Sequence, residues 1–281
     1  MDILEIFHYR FLIHAFAGAV LSAAASSQLS VFLTLKKISF LGEAFSHIAF
    51  AGIALSLLIG SEITITTVGF VVVIAILIGI VSKYYHYQEA NIITIFLSVS
   101  MAVGIILINV NQRYTLDLSS YLFGNVLMVT PKDLWYLTVL LLLNGAFILL
   151  FFKELYYMTY NYEVARIYGI PVKLTYYLFI ILLAVNIVVS VKIVGVILIT
   201  AQLILPGISA LNLTKKIRSA IILSVFFGEI GAVGGFFLSY RFNLPSGATI
   251  VILSFLIFII TLIYKELAAK REGYFSTLKE Q

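Results

Sequence analysis

The chain of 281 residues contains no cysteine. This absence excludes disulfides, thiolate-bound metals and catalysis by a thiol. The chain also carries little charge, because Asp, Glu, Lys and Arg make up 11% of it and soluble domains contain about 25%. Hydrophobic residues make up 62%, and the mean hydropathy is +1.10. This composition indicates an integral membrane protein.

Three common functional motifs are also missing. No stretch fits the patterns G-x-x-x-x-G-K-[ST], G-x-G-x-x-G or H-E-x-x-H. The chain therefore has no Walker site for ATP. If ATP hydrolysis drives transport by this chain, we expect the ATPase to be a separate chain. We expect no catalytic residue and no tightly bound cofactor. Lysines and arginines lie in short connections between apolar runs, so no basic face indicates a nucleic-acid partner.

The apolar residues fall into about nine segments, each near the roughly 20 residues that cross a bilayer as a helix. We predict an all-α, polytopic membrane protein with a single transmembrane domain over residues 1–281. Pro206-Gly207 breaks the seventh segment, so eight spans with a re-entrant segment are the alternative. Residues 1–10 lack the features of a secretory signal, so the first segment is expected to stay in the mature protein. The segments are 11–35, 38–60, 62–82, 91–110, 133–152, 173–191, 193–212, 218–240 and 246–265.

The distribution of lysine and arginine predicts the orientation of these spans. With nine spans, five of the 18 basic residues lie on one side and the other thirteen lie on the opposite side. Because cytoplasmic loops carry the excess of basic residues, the side with thirteen is cytoplasmic. The N-terminus is then outside and the C-terminus inside. The five outer residues are Arg10, Arg113, Lys132, Lys192 and Arg241.

Two connections are longer than the others. Residues 111–132 are predicted to form an outer loop, and residues 153–172 a cytoplasmic one. Within the cytoplasmic loop, residues 162–168 can form two turns of helix that end at Gly169 and Pro171. This short helix either docks a soluble partner or merely links two spans.

Glu43 and His47 are the most informative polar residues, because they lie in an apolar run that reads as membrane-buried. An ionisable side chain near the bilayer centre costs about 2.5 to 3.5 kcal/mol on insertion scales, so it usually faces a bundle interior or a water-filled path. Positions i and i+4 share one face of a helix, so one divalent ion could meet both groups. Mixed N/O ligands suit zinc, manganese or ferrous iron. The alternative is a structural hydrogen bond.

Two other ionisable residues are candidates for the lining of a path. His14 is a lone histidine in the first span, and we expect it to be a packing or path-lining group rather than a metal ligand. Glu229 lies in a Gly-rich span, where helices can approach closely. Glu229 either lines the path or pairs with a cation such as Lys192. The cluster Gly231, Gly234 and Gly235 is expected to serve helix packing.

Several motifs, in order along nearly the whole chain, resemble the membrane permease subunit of the ABC importers for zinc, manganese or iron. The stretch L-K-K-I-S-F-L-G-E-A-F-S-H at residues 35–47 is similar to the family pattern L-[RK]-[RK]-x-S-x-x-G-D-A-x-S-H. Their order and spacing make the combined resemblance specific, although each motif alone is moderate evidence. The further matching segments are 121–125, 163–172, 194–201, 205–207 and 238–251.

The resemblance implies a defined assembly in the cell membrane of a prokaryote. Two copies of the permease form a dimer with a central path, and two ATP-binding subunits dock on cytoplasmic coupling helices. A separate extracytoplasmic binding protein delivers the metal. The family's intramembrane carboxylate and histidine fall on Glu43 and His47, which are our candidate metal ligands. The residues of the coupling motif fall on Glu163, Ala165, Arg166 and Gly169.

The sequence departs from the family pattern at several positions. Glu43 replaces the usual Asp and keeps an oxygen ligand. Gln202 places an amide where the family is usually aliphatic, and we include it among the candidates for the path. These changes leave the metal open among zinc, manganese and iron.

The leading function is therefore the permease subunit of an ATP-driven importer for a divalent transition metal. A secondary metal transporter driven by an ion gradient is the alternative, and it would take up metal without ATP. An intramembrane hydrolase is a third hypothesis, motivated by the same Glu and His, but the sequence offers no convincing nucleophile.

Overall fold

The computed structural model describes residues 9–84, 88–110, 129–160, 165 and 167–279. The secondary structure within these ranges is helical throughout, which confirms the all-α prediction. Eight of the helices are long and apolar enough to cross a membrane, and α6 is a short helix in the predicted cytoplasmic connection. The helices are α1 Arg10–Lys36, α2 Phe40–Ile59, α3 Ile63–Tyr84, α4 Glu89–Val110, α5 Pro131–Leu150, α6 Phe152–Tyr160, α7 Val172–Leu213, α8 Ile217–Phe242 and α9 Ser246–Lys279.

Helix α7 contains two of the predicted segments. Its 42 residues correspond to about 63 Å at 1.5 Å per residue, which is roughly twice the hydrocarbon thickness of about 30 Å. Gly195 interrupts it with φ 80° and ψ 166°, a conformation that an L-residue with a side chain rarely adopts. The chain can therefore change direction at this residue.

Contacts with α1 show that the two arms of α7 run in opposite directions. As the first arm advances toward Gly195, its partners on α1 move toward the N-terminus of α1. As the second arm advances away from Gly195, its partners move toward the C-terminus of α1. The pairs are Asn186 with Ser26, Ile193 with Gly18, Gln202 with Ser22, and Gly207 with Ser30.

This reversal decides how many spans the described residues form. Their eight long helices give nine crossings, because α7 crosses twice and both of its ends lie on the side of Lys36. The expected break at Pro206-Gly207 is wrong, since the helix continues through Pro206. Ser30 stabilises the helix there, because its hydroxyl accepts the Gly207 N–H at 2.9 Å and donates to the Ile204 carbonyl at 3.3 Å.

Glycines of α8 allow this helix to pack closely against both α1 and α9. A Cβ atom at Gly228 of α8 would lie 2.0 Å from the Ser27 hydroxyl oxygen of α1, closer than atoms can approach. In the same way, a Cβ atom at Gly235 would lie 2.5 Å from the Cα atom of Ile250 on α9. The packing role predicted for the glycine cluster of α8 is thus visible in its contacts with α9.

Candidate functional site

Residues 37–39 connect α1 to α2. Lys37 adopts a left-handed conformation with φ 59°, and the Ile38 N–H donates to the Leu33 carbonyl at 3.2 Å. Helix α2 therefore begins after a connection of only three residues, and it packs on α3, α4 and α7.

Glu43 lies in the first turn of α2, and His47 follows one turn later. Glu43 is exposed and His47 is half-buried, whereas Leu41, Gly42 and the three residues between the pair are buried. Phe40 is exposed on the same side of the helix. The pair therefore lies on a face of the subunit that no other described helix covers.

Neither Glu43 nor His47 forms an ion pair within the described part of the chain. The ion pairs there join Lys132 to Glu62 and Lys192 to Asp133. The described residues also contain no cluster of three or more His, Cys, Asp or Glu side chains that could hold a metal ion. On this face, one chain offers a cation one carboxylate and one imidazole.

The second arm of α7 lies next to the pair. A Cβ atom at Gly42 would be 3.3 Å from a methyl group of Leu203, so α2 packs closely on this arm. The neighbouring residue, Gln202, is buried and its Oε1 accepts a hydrogen bond from Ser22 at 3.0 Å. Gln202 therefore contributes to the packing of α7 on α1 and does not lie on the exposed face with Glu43.

The other candidates for the path lie elsewhere. His14 is half-buried in the second turn of α1, toward the outer end of that helix. Glu229 is half-buried in the middle of α8. The suggested pairing of Glu229 with Lys192 is wrong, because Lys192 Nζ binds Asp133 Oδ1 at 2.7 Å. The structure does not bring these residues together with Glu43 and His47.

The short helix in the cytoplasmic connection ends at Gly169, as the sequence predicts. Gly169 has φ 67°, and the Ile170 N–H donates to the Ala165 carbonyl at 3.0 Å, the bond that closes a Schellman helix end. Ala165 is fully buried, while Ile167 and Tyr168 are 82% and 74% exposed. Glu163 and Arg166 lie outside the described residues, so their coupling role stays a prediction. The motif at 121–125 and most of the outer loop also lie outside them.

Sequence reasoning missed a cluster that joins the cytoplasmic ends of three helices. The Tyr176 hydroxyl of α7 donates to Glu89 of α4, and Lys36 Nζ of α1 lies 4.6 Å from the centre of the Tyr176 ring. Tyrosine and single charged residues are common at span ends, so no local pattern predicted this contact. The isolated charge of Glu89 at the start of an apolar run was the available signal.

A second cluster lies at the outer ends of α3 and α5. Lys132 Nζ donates to Glu62 at 2.6 Å, and this hydrogen bond holds the pKa of the Glu62 carboxyl below its ordinary value. Thr130 and Asp133 form a reciprocal capping box at the start of α5. Together with the Lys192–Asp133 pair, these contacts connect α5 to the outer end of the first arm of α7.

Comparison with known proteins gives three related matches along the chain. The model of the ABC 3 transport family matches residues 8–265. A manganese transport system membrane protein, MntC of Listeria monocytogenes, is 34% identical over 97% of this chain and 96% of the relative. The manganese import system permease ScaB of Streptococcus gordonii is 33% identical over 90% of this chain and 91% of the relative.

Two solved structures are similar to the fold. PsaBC from Streptococcus pneumoniae, in complex with Fab, matches with a TM-score of 0.82 and 31% identity, covering 95% of this chain and 100% of that one. An ABC transporter described as metal-chelate type, in an inward-facing conformation, matches with a TM-score of 0.70 at 17% identity. The second similarity concerns the fold alone.

Proposed function

Because the chain belongs to the ABC 3 transport family, we propose that it carries manganese into the cytoplasm along a path that includes Glu43 and His47. The chain is the membrane permease of an ABC importer for a divalent metal, a multi-pass protein of a prokaryotic plasma membrane. Manganese is the ion named for relatives that are 34% and 33% identical over at least 90% of this chain. An imidazole and a carboxylate suit manganese, and they suit zinc or ferrous iron as well.

The observation that carries the proposed site is the exposure of Glu43, with the half-buried His47 beside it, on a membrane helix. An ionisable group that faced lipid would be costly, so the face is expected to border a partner or a water-filled path. A second copy of the chain would supply a second carboxylate and a second imidazole. Four such ligands, shared between two subunits that move relative to each other, could bind an ion and then release it. A closed cage of four ligands in one subunit would hold the ion instead.

The energy source and the delivery of the ion require further chains. We infer that a cytoplasmic ATP-binding subunit docks on the helix that ends at Gly169. The exposed Ile167 and Tyr168 offer apolar contact area at that end. An extracytoplasmic binding protein is the inferred donor of the ion on the outer side. The permease itself has no Walker motif for ATP.

The test is manganese uptake into proteoliposomes that contain the complete importer. We expect the double variant Glu43→Ala/His47→Ala to abolish uptake, while the complex still assembles and ATP still binds to it. Leu58→Ala is the matched control, because Leu58 is exposed at the opposite end of the same helix and has no ligand atom. Normal uptake by the double variant would contradict the site. Uptake by the chain alone without ATP would support the gradient-driven alternative instead.

A further inference from the structure

A groove lies on the membrane-facing surface between α3 and α5, with the first arm of α7 as its floor. Its volume is about 420 Å³, within the range of roughly 300 to 1,000 Å³ that ligand pockets occupy. The lining is almost entirely apolar. Six of the residues that line it are Val68, Trp135, Val139, Leu143, Val185 and Val189.

The depth of this groove matches the outer leaflet. Helix α5 begins at Pro131 on the predicted outer side, and Leu143 lies twelve residues later, which is about 18 Å along the helix. The outer half of the hydrocarbon core measures about 15 Å. The groove therefore extends from the membrane interface to near the bilayer centre, the same range that one acyl chain of a lipid occupies.

The outer mouth of the groove carries the groups that membrane proteins place at the lipid headgroups. Trp135 is 65% exposed, and Tyr136 donates from its hydroxyl to Glu62. Aromatic residues of this kind are enriched at membrane interfaces. The ammonium group of Lys132 lies 5.6 Å from the Tyr136 ring centre and donates one hydrogen bond to Glu62. Since an ammonium has three donors, Lys132 can bind a second anionic group.

We propose that this groove is a binding site for one outer-leaflet phospholipid, with an acyl chain between α3 and α5 and the phosphate on Lys132. The chain would lie against Val185 and Val189, six to ten residues before the reversal at Gly195. The lipid would thus support the outer part of the first arm of α7. This inference is independent of the metal that the permease carries.

The chain provides its own reporter for this site, because Trp135 is its single tryptophan. The experiment titrates the purified full-length chain in detergent with phosphatidylglycerol that is brominated on its acyl chains, since bromine quenches tryptophan on contact. We expect saturable quenching of Trp135. Val139→Phe fills the groove and should remove the saturable component. Leu149→Phe, on the same helix and 81% exposed outside the groove, should quench like the wild-type chain.

The phosphate contact has a separate test. Lys132→Gln should weaken the binding of brominated phosphatidylglycerol roughly 10-fold, because it removes one hydrogen bond to a charged group. The same variant should bind brominated diacylglycerol, which has no phosphate, as the wild-type chain does. An equal loss for both lipids would overturn the role of Lys132.

Three outcomes would overturn the lipid site itself. The first is quenching that rises linearly with lipid, as contact with bulk lipid produces. The second is wild-type saturation in Val139→Phe. The third is a disulfide-linked dimer of the variant Val139→Cys, in a chain with no other cysteine, which would show that a second copy covers the groove.

Discussion

Two polar regions of the membrane interior differ in how their hydrogen-bonding groups are satisfied. In the first, which we name the seam, Ser26, Asn144 and Asn186 join α1, α5 and α7. Asn186 donates to Ser26 and Asn144 donates to Asn186, both at 3.0 Å, and all three residues are fully buried. In the second, Glu43 and His47 lie on an open face of α2.

The difference follows from charge. Neutral hydroxyl and amide groups can satisfy one another inside the bundle, and each such bond in a membrane contributes about 0.6 kcal/mol on average. A carboxylate that is proposed to bind and release a divalent ion should not be committed to a partner in its own chain. The contacts of the seam join three helices, whereas the open pair leaves its carboxylate and imidazole available to a cation. The following experiments test this division of roles.

The largest expected effect concerns the open pair. Loss of a residue that only orients a metal ligand costs about 10- to 100-fold in affinity, so Glu43→Gln, which changes the proposed ligand itself, should lower manganese uptake by about 100-fold. The thermal midpoint of the purified permease should stay unchanged, because Glu43 is exposed. The readouts are initial uptake rates of the reconstituted importer and thermal unfolding of the permease. A fall in the midpoint with normal uptake would assign Glu43 to the fold.

The next effect concerns the close contact of α1 with the second arm of α7. Gly207→Ala would place a Cβ atom 2.7 Å from the carbonyl carbon of Ser30. We expect a loss of about 1 to 3 kcal/mol in the free energy of unfolding, as overpacking causes. Gly69→Ala is the control, because no atom lies within 4 Å of its added Cβ. Equal stability of the two variants would show that the contact is looser than described.

A smaller effect is expected within the seam. Asn186→Leu removes the hydrogen bonds with Ser26 and Asn144. The free energy of unfolding should fall by about 1 to 2 kcal/mol, in the upper range of measured polar contacts in membranes. Uptake per folded importer should stay near normal, in contrast to Glu43→Gln. A selective loss of uptake with full stability would place the seam in the transport path.

The smallest effect concerns the ion pair at the outer face. The pKa of Glu62 is held below its ordinary value of 4.5 by the hydrogen bond from Lys132. A carboxyl whose pKa is lowered on folding contributes stability above its unfolded pKa, and this contribution is lost as the pH falls through the lowered value. The thermal midpoints of the wild type and Lys132→Gln should therefore differ slightly at neutral pH and converge at acidic pH. A constant difference would rule out the carboxylate as its cause.

The sequence predicted most of the fold, because a membrane span needs a length and an apolarity that can be read directly. The excess of basic residues on one side predicted which side is cytoplasmic, and this orientation stays a prediction. The sequence did not predict which carboxylate pairs with Lys192, because both Asp133 and Glu229 are carboxylates at plausible depths in the membrane. The sequence placed the boundary between the two segments at residue 192, three residues before the reversal at Gly195, but it also expected a break at Pro206-Gly207, where the helix continues. A hydroxyl from another helix compensates at Pro206, and such a contact is invisible in the local sequence.

The sequence by itself determined the class of the protein, its apolar segments and the i, i+4 pair of a carboxylate and an imidazole. These properties depend on local composition and on helical spacing, which do not require knowledge of neighbours. Only the tertiary structure decided which polar residues face each other and which face outward. Gln202 is buried on Ser22, whereas Glu43 is exposed. The orientation of each helix about its own axis makes that distinction, and close contacts such as Gly42 with Leu203 and Gly207 with Ser30 help to set this orientation.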